Sequence, residues 1–278
     1  MKILPRFDLF ERTCVMGVLN VTPDSFSDGG RFFDKTKAVK RALTIVREGA
    51  DIIDIGGEST RPGAGGISAK KELARVIPVI SAVSKKTRIP ISIDTMKAEV
   101  AEEAIRAGAT IVNDVSGLKY DKDMASVVAR YGARLIIMHM KGTPRDMQLR
   151  PCYKDIVKDI IRDLKISIKM AEGAGVADQK IIIDPGIGFG KTFEHNLEIL
   201  NRLEEFIELK RPICIGTSRK SFIGQALGVK DPGGRLIGTI AASVIAIMKG
   251  ASLIRVHDVK EAVQAARMAD SILRSGAN

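Results

Sequence analysis

Polar and glycine residues follow each of eight short apolar runs along the chain. If the runs are parallel strands of one sheet, their carboxyl ends share one rim, where carboxylates, amides and cations can gather around a ligand. For single residues the alternative is local: Asp94, Ser218 and Asp258 as helix N-caps, and Asp184 as the start of a turn. Eight polar ends together predict a binding pocket. They are Asn20, Gly56-Gly57-Glu58, Asp94-Thr95, Asn113-Asp114, His139, Asp184-Pro185-Gly186, Gly216-Thr217-Ser218, and Arg255 with His257-Asp258.

The apolar runs alternate with longer amphipathic segments, and each run is typical of a strand buried on both faces. The runs are Val15–Leu19, Ile52–Ile55, Ile91–Ile93, Ile111–Val112, Leu135–Met138, Ile181–Ile183, Ile213–Ile215 and Leu253–Val256. The predicted helices are Thr36–Glu48, Ala69–Lys86, Lys97–Ala107, Asp123–Tyr131, Tyr153–Ala174, Phe193–Lys210, Gly234–Lys249 and Val259–Leu273. Gly-Ala pairs end several of these helices, as at Gly108-Ala109.

Eight strand–helix units predict an α/β fold, a (β/α)8 TIM barrel that forms a single domain over residues 1–278. An open doubly wound sheet is the alternative, but it does not require eight evenly spaced units. Residues 1–13 form an N-terminal extension, for which a hairpin at the base of the barrel is one reading. The long loops after strands 1, 2 and 5 (Val21–Asp34, Gly56–Ile67 and Met140–Cys152) are expected to be lids or binding loops; tolerated insertions are the alternative.

Composition excludes several classes of protein. The 278 residues are 45% hydrophobic and 28% charged, which is typical of a globular chain. The net charge of +11 favours anionic partners, but basic residues form no run of five and aromatics are only 4%, so we expect no nucleic-acid partner. The apolar stretch Ile237–Met248 is too short to span a bilayer, so we expect no membrane partner. Three scattered cysteines, and first residues unlike an export signal, predict a cytoplasmic protein.

Two shorter motifs are misleading. Gly186–Thr192 resembles a phosphate-binding P-loop, but Pro185 occupies the position of the required first glycine and has no N–H to donate. His139 and His257 lie on different strands without a nearby acidic or thiol pair, so we expect structural or anion-binding histidines rather than zinc ligands.

Two longer stretches resemble the signature loops of the dihydropteroate synthase family of pterin-binding enzymes. They are Asn20-Val-Thr-Pro-Asp-Ser-Phe-Ser-Asp28-Gly-Gly and Asp54-Ile-Gly-Gly-Glu-Ser-Thr-Arg61-Pro-Gly-Ala. The resemblance continues, in order and spacing, from Cys14 to about Asp270. It includes Ser92-Ile-Asp94-Thr, Asn113-Asp114-Val-Ser-Gly, Met138-His-Met-Lys-Gly-Thr-Pro, Asp184-Pro-Gly-Ile-Gly-Phe-Gly-Lys, Thr217-Ser-Arg-Lys220-Ser221 and Arg255-Val-His257-Asp. Lys141 and Ala69-Lys70-Lys71 depart from the family pattern, at positions without an expected ligand contact.

The resemblance implies an enzyme of folate biosynthesis that joins 6-hydroxymethyl-7,8-dihydropterin diphosphate to p-aminobenzoate and releases pyrophosphate. Asp94, Lys220 and Arg255 would be catalytic. A carboxylate such as Asp184 can accept two donors of the pterin edge, and an amide such as Asn113 can match a donor and an acceptor. The implied pterin contacts are Asp94, Val115, Asn113, Met138, Asp184, Lys220 and Arg255.

The resemblance also implies two anion subsites. The diphosphate would be held by Asn20, Thr60, Arg61, Arg255 and His257, with Asn20 ligating a Mg²⁺ cofactor. The p-aminobenzoate would contact Phe26, Pro62, Phe189 and Ser221. Sulfonamides, which mimic p-aminobenzoate, would inhibit. The implied reaction is a dissociative substitution, and the implied assembly is a homodimer; the apolar run Ile240–Ile247 would serve that interface or pack on the barrel.

Two other functions are weighed against the synthase. A methyltetrahydrofolate–corrinoid methyltransferase would share the acidic and amide pterin contacts but would have no diphosphate to hold. A non-catalytic pterin- or RNA-binding protein would leave the anion-binding groups without a reactive purpose. The Asn20 loop, Thr60-Arg61 and Ser218–Ser221 favour the synthase.

Overall fold

A computed structural model describes residues 9, 11–22, 34–59, 63, 65–143, 145–149 and 151–275. Eight parallel strands in this part of the chain pair in sequence order and close into a barrel, with Cys14 of the first strand opposite Leu253 of the last. The predicted TIM barrel is therefore confirmed. The strands are β1 (Cys14–Asn20), β2 (Ile52–Gly56), β3 (Ile91–Asp94), β4 (Ile111–Asp114), β5 (Arg134–Met138), β6 (Ile181–Asp184), β7 (Ile213–Ile215) and β8 (Ala251–Val256).

Helices surround the barrel, and their termini follow local chemistry. Asp34, Ser68 and Asp155 cap their helices by accepting backbone N–H groups. Gly108 and Gly132 end two others in the left-handed conformation that the Gly-Ala pairs predict. The described helices are α1 (Lys35–Arg47), α2 (Ala69–Ser84), α3 (Ala98–Ala107), α4 (Met124–Tyr131), α5 (Ile156–Gly173), α6 (Phe193–Asn201), α7 (Ser221–Leu227), α8 (Leu236–Met248) and α9 (Val259–Arg274).

Some helical predictions were wrong in extent. The helix predicted over Phe193–Lys210 ends at Asn201 and continues as a 3-10 helix over Leu203–Leu209. The buried residues there, Leu203, Phe206 and Leu209, recur every third position, which suits the three-residue turn of a 3-10 helix. The helix predicted from Tyr153 begins at Ile156, and the one predicted from Gly234 begins at Leu236, after a short 3-10 helix. The short helix α7 was not predicted.

The apolar helix α8 lies against the barrel. Ala246 and Ile247 are buried, and Ile240 and Val244 pack against the main core. One side of the run Ile240–Ile247 therefore packs on the barrel, whereas Ala241 and Ile245 are exposed. Among the described residues no helix has the length and apolar character needed to cross a membrane.

Side-chain alternation divides the barrel interior into an apolar end and a polar end. Successive residues of a strand point to opposite faces, so residues two apart share one face. Each inward apolar residue near the amino end is followed, two positions later, by an inward residue at the carboxyl rim. The pairs are Ile52 and Asp54, Ile111 and Asn113, Ile136 and Met138, Ile182 and Asp184, Cys214 and Gly216, and Leu253 and Arg255.

One described residue before β1 packs at the amino end of the barrel. Leu9 is buried in one cluster with Cys14, Met16 and Ile52. The hairpin considered for residues 1–13 lies mostly outside the described residues.

A buried lysine ties the loop after β6 to the end of β5. Lys191 Nζ contacts the carbonyl oxygens of Phe189 (2.9 Å) and His139 (3.3 Å) and the Nδ1 of His139 (3.0 Å). The two loops pack so closely that a Cβ at Gly186 would overlap the His139 carbonyl oxygen. His139 is thus a structural residue, whose Nε2 lies 3.4 Å from Asp163. Burial lowers the pKa of Lys191 well below its usual range.

Replacing this lysine should loosen the fold. In Lys191→Met the three acceptors lose their donor inside the protein, which we expect to cost about 2–4 kcal/mol. Thermal unfolding followed by circular dichroism should show Tm lowered by roughly 5–15 °C. The matched control is Lys70→Met on the exposed first turn of α2, which should leave Tm nearly unchanged. Equal Tm values for the two variants would show that Lys191 does not hold the loops.

Candidate active site

One arginine links three strands at the carboxyl rim. Arg255 of β8 donates from Nε to Asp54 Oδ2 (2.7 Å) on β2 and from Nη2 to Asp94 Oδ2 (2.7 Å) on β3. Both carboxylates are buried, with side chains 0% and 8% exposed, whereas 23% of the Arg255 side chain is exposed. Charged hydrogen bonds at this spacing, shielded from water, fix the guanidinium in one orientation. Two predicted catalytic residues, Asp94 and Arg255, are therefore in direct contact.

Asn113 joins this cluster from β4. Its Nδ2 donates to Asp54 Oδ2 at 3.3 Å, the same oxygen that accepts from Arg255. In the β3–β4 register Asn113 lies opposite Asp94. Asp54 Oδ1, Asp94 Oδ1 and Ser92 Oγ are buried without a hydrogen-bond partner among the described residues, so this layer of the barrel retains unused acceptors.

Lys220 approaches the cluster from the loop after β7. Its Nζ donates to the Ile187 carbonyl and lies 4.7 Å from the centre of the Phe189 ring. A Cβ at Gly216 would lie 3.8 Å from Arg255 Cβ and 3.9 Å from Lys220 Nζ, so the Arg255 and Lys220 side chains both border this glycine.

Asp184 and a small apolar cluster complete the wall between β4 and β6. Asp184 Oδ1 accepts the Gly186 N–H at 2.7 Å, and Met138 lies opposite Asp184 in the register. Val115 and Met138 are buried in one cluster against which Phe189 packs. The carboxylate, amide and cationic groups of the rim therefore lie next to the apolar side chains of Met138, Val115 and Phe189. This combination suits a polar heterocycle as a ligand.

Burial and neighbouring charges shift the pKa values of these groups. Burial raises the pKa of Asp94 to about 7, against the opposing charge of Arg255. Burial lowers the pKa of Lys220 to about 8, against the pull of Asp184, and burial raises the pKa of Asp184. For Arg255 burial acts to lower the pKa, but Asp54 and Asp94 outweigh it and the pKa is raised. Acid and base groups that titrate near neutrality are characteristic of active sites.

The predicted anion-binding residues that the structure describes lie on the β7, β8 and β1 side of the rim. Ser218 Oγ accepts the His257 backbone N–H at 3.1 Å and lies 3.0 Å from His257 Nδ1. When the Ser218 hydroxyl donates to Nδ1, the ring proton of a neutral His257 is on Nε2. Asn20 is half-buried at the end of β1, and Ser221 is exposed at the first position of α7.

The local interpretation of the rim residues is confirmed for Asp184, which accepts the N–H two residues on as a turn residue does, and is wrong for Asp94 and Ser218. The N-cap residues of α3 and α7 are Lys97 and Lys220, not Asp94 and Ser218. Asp258 does occupy the N-cap position of α9, but its side chain makes no capping hydrogen bond and instead binds Arg219, with Nε to Oδ2 at 2.9 Å. The side chains of Asp94, Ser218 and Asp258 therefore bind Arg255, His257 and Arg219 at the rim instead of capping helices.

Four predicted ligand contacts lie outside the described residues: Phe26, Thr60, Arg61 and Pro62. The described residues at the two ends of the second loop are joined by hydrogen bonds and ion pairs. Glu58 accepts the Ile67 N–H at 3.1 Å, which brings the two ends of the loop together. Lys97 bridges Glu58 and the fully buried Glu72, with 2.6 Å to the latter.

The residues expected near a magnesium ion can be compared with the ligands that this ion prefers. Within the described ranges, no three His, Cys, Asp or Glu side chains come together as a metal site. The Asn20 amide oxygen is a ligand type that Mg²⁺ accepts, and Mg²⁺ commonly completes its shell with phosphate oxygens and water. The donor set therefore fits a metal bound together with a diphosphate.

Sequence reasoning assigned no role to Asp54, although it stands at the centre of the cluster. The sequence did contain a signal for it, because Asp54 lies inside the apolar run Ile52–Ile55. It is two positions from Ile52, so both side chains point to the same face of the strand, into the barrel. A carboxylate in a buried strand requires a charged or hydrogen-bonding partner. Lys191 could be found in the same way only after the loop path was known.

Comparison with known proteins agrees with this geometry. A sequence profile described as "pterin binding enzyme" matches residues 16–257. The dihydropteroate synthase of Clostridium beijerinckii is 52% identical over 269 residues, covering 96% of this chain and 97% of that protein.

Solved structures show the same similarity. A Clostridium difficile dihydropteroate synthase determined with pteroic acid superposes with a TM-score of 0.91 at 53% identity, covering 96% of this chain and 99% of its own. A Yersinia pestis dihydropteroate synthase in complex with a sulfonamide drug gives a TM-score of 0.90 at 44% identity, covering 96% of both chains. With its rim cluster and these similarities along nearly its whole length, the chain belongs to the dihydropteroate synthase family of pterin-binding enzymes.

Proposed function

We propose that this chain condenses 6-hydroxymethyl-7,8-dihydropterin diphosphate with p-aminobenzoate to give 7,8-dihydropteroate and pyrophosphate. The observation that carries the proposal is the contact network in which Asn113, Asp94 and Arg255 meet through buried hydrogen bonds, beside Lys220, at one rim of the barrel. The relatives named above are synthases, which favours this activity over the corrinoid methyltransferase and the non-catalytic binder.

The pterin would lie among the inward residues of β4, β6 and β8. Asp184 and Asn113 would bind the aminopyrimidinone edge, because a carboxylate accepts two N–H donors and an amide pairs with both a donor and an acceptor. Lys220 would donate to the ring carbonyl, and Arg255 would lie across the ring. Met138 and Val115, buried together, would supply apolar contact.

The diphosphate would bind nearer β1, between Asn20, His257 and Arg255, with Thr60 and Arg61 contributing from the second loop. His257 would donate from Nε2, since its Nδ1 faces the Ser218 hydroxyl. Magnesium held by Asn20 and the phosphate oxygens would supply positive charge that stabilises the leaving pyrophosphate.

The substitution would be dissociative. The bond between the methylene carbon and the diphosphate oxygen breaks first, and its electron pair leaves with pyrophosphate. The buried carboxylate of Asp94 would stabilise the pterin methylene cation, as a fixed charge does when water is excluded. The amine of p-aminobenzoate then forms the C–N bond and releases a proton. Positional isotope exchange of the bridging oxygen without aminobenzoate would support the early cleavage; complete absence of exchange would argue for concerted attack.

The p-aminobenzoate would lie beside Phe189, with its carboxylate near Ser221 and its ring also contacting Phe26 and Pro62. The pteroic acid and sulfonamide held by the solved relatives support this subsite and inhibition by sulfonamides. The loops over residues 20–34 and 56–67 would cover the site and keep water from the cation.

Two further properties are proposed. Large apolar side chains are exposed on α8 and α9, including Ile237 (77%), Met268 (62%) and Ile272 (50%), and we propose that they meet in a homodimer. Light scattering would measure the mass, and a monomer at micromolar concentration would contradict the dimer.

The three cysteines form no disulfide, which supports a reducing, cytoplasmic location.

A pyrophosphate-release assay tests the proposed reaction. With both substrates and Mg²⁺, pyrophosphate should form in step with 7,8-dihydropteroate, and omission of either substrate should abolish product. The Asp184→Asn variant, prepared identically, controls for contaminating enzymes. Sustained pyrophosphate release without aminobenzoate, or no release with both substrates, would contradict the proposed function.

Replacement of Asp184 should weaken pterin binding selectively. Asp184→Asn keeps an acceptor for the Gly186 N–H but replaces the charged acceptor facing the pterin, so we expect affinity for 6-hydroxymethylpterin to fall about 100-fold. Isothermal titration calorimetry measures the affinity, with far-ultraviolet circular dichroism as the check on folding. The exposed Asp178→Asn is the matched control and should bind as wild type. Undiminished binding in Asp184→Asn would remove this residue from the site.

The pH dependence should be a narrow bell. Asp94 must be ionised and Lys220 protonated, so kcat/KM should rise as pH passes about 7 and fall as it passes about 8, following their pKa values. The measurement is kcat/KM for the pterin diphosphate at saturating aminobenzoate. In Lys220→Arg the guanidinium stays protonated, so the remaining activity should lose the alkaline decline. A profile unchanged by this substitution would assign the alkaline limb to another group.

A further inference from the structure

Asp54 has an unusual position for a carboxylate. It lies within β2, its side chain is 0% exposed, and it faces the barrel interior above Ile52. One oxygen, Oδ2, accepts from both Arg255 Nε and Asn113 Nδ2. A fully buried carboxylate does not reach a ligand in the mouth of the barrel, but it contacts two residues that would.

We propose that Asp54 is a positioning residue that fixes which hydrogen-bonding groups Asn113 and Arg255 present to the pterin substrate. The inference deepens the proposed function and rests on it. Its physical basis is that a carboxylate can only accept hydrogen bonds, whereas the side chains above it have more than one way to face a ligand.

The consequence for Asn113 is a fixed amide. An amide group can rotate by half a turn and exchange its donor and acceptor ends at little cost in shape. Because Asp54 accepts from Nδ2, the carbonyl end Oδ1 is directed to the other side of the amide. A pterin ring N–H would therefore meet an acceptor, and a ligand that needed a donor at that point would be rejected.

The consequence for Arg255 is a fixed plane. Asp54 holds Nε and Asp94 holds Nη2, so carboxylates on two strands bind two nitrogens of one guanidinium. The plane is thereby set before substrate enters, and neither carboxylate uses Nη1. Preorganisation of this kind lowers the entropic cost of binding, because the side chain is already ordered.

A neutral amide at position 54 would remove this discrimination. In Asp54→Asn the side chain keeps its size, but it can donate as well as accept and carries no charge for Arg255. Asn113 could then adopt either orientation, and the guanidinium would lose one of its two ionic contacts. We expect affinity for 6-hydroxymethylpterin and kcat/KM for the pterin diphosphate to fall about tenfold to a hundredfold, as replacements of supporting residues behind a binding site commonly do. KM for p-aminobenzoate should stay within about twofold, since its subsite lies beyond Lys220.

The matched control is Asp114→Asn, one residue from Asn113 on the same strand. Asp114 is also buried, but it accepts from the Ser116 and Leu118 backbone and the Ser116 hydroxyl, which is a turn-forming role. This variant should lose stability while keeping the wild-type ratio of the two KM values. A decrease in pterin affinity confined to Asp54→Asn separates positioning from a general loss of structure.

A double-mutant cycle tests whether Asp54 acts through Asn113. If it does, Asp54→Asn should weaken pterin binding less in an Asn113→Ala background than in wild type, because part of the interaction is already absent. Should Asp54→Asn be too unstable to purify, Asp54→Ser, which leaves room for water, is measured in the same way. Pterin affinity within about twofold of wild type in a folded position-54 variant, or fully additive effects, would overturn the inference. A wild-type enzyme that fails the pyrophosphate assay would instead overturn the proposed function.

Discussion

The contact on which the site depends is the guanidinium of Arg255 between the carboxylates of Asp54 and Asp94. It joins β8 to β2 and β3 across the mouth of the barrel, and Asn113 of β4 binds the same cluster. Removing such charges from water costs several kcal/mol per ion, and apolar residues of the same volume would often serve stability as well. Buried acceptors without a partner among the described residues remain beside these charges, and the proposed pterin site would use them.

The alternation of side chains along each strand places these groups at the rim of the barrel. Because side chains alternate, a strand that is apolar inside at its amino end needs only one further inward position to place a polar group at the rim. Ile182 and Asp184, or Leu253 and Arg255, are two positions apart yet belong to core and site respectively. Leu9 packs at the apolar end, in one cluster with the inward residues of the strands. Loops of unequal length can then vary without disturbing the inward residues.

Much of this arrangement is predictable from the sequence, and the failures have identifiable causes. The strands were recognisable because parallel strands are apolar on both faces, and the rim because polar residues interrupt them at their ends. The end of the α-helix before Arg202 was not recognisable from the sequence. Leu203, Phe206 and Leu209 continue an apolar pattern that is also compatible with an α-helix. Asp54 was passed over because its partners lie 59 and 201 residues away along the chain, and only barrel closure brings them together. Lys191 depends in the same way on a loop path that local sequence does not define.

The charges of the site and of the whole chain favour different stages of one reaction. Asp54, Asp94 and Asp184 against Arg255 and Lys220 leave an excess of one negative charge when all five are ionised, within a chain whose net charge is +11. The positive field of the chain favours the approach of an anionic diphosphate, and field effects of this kind act over distances longer than a hydrogen bond. The acidic inner layer would disfavour a second anion there but would favour the cation of the proposed dissociative step. A reaction that first attracts an anion and then forms a cation would use this separation, with His257 at the rim beside Ser218 and the paired carboxylates of Asp54 and Asp94 buried within.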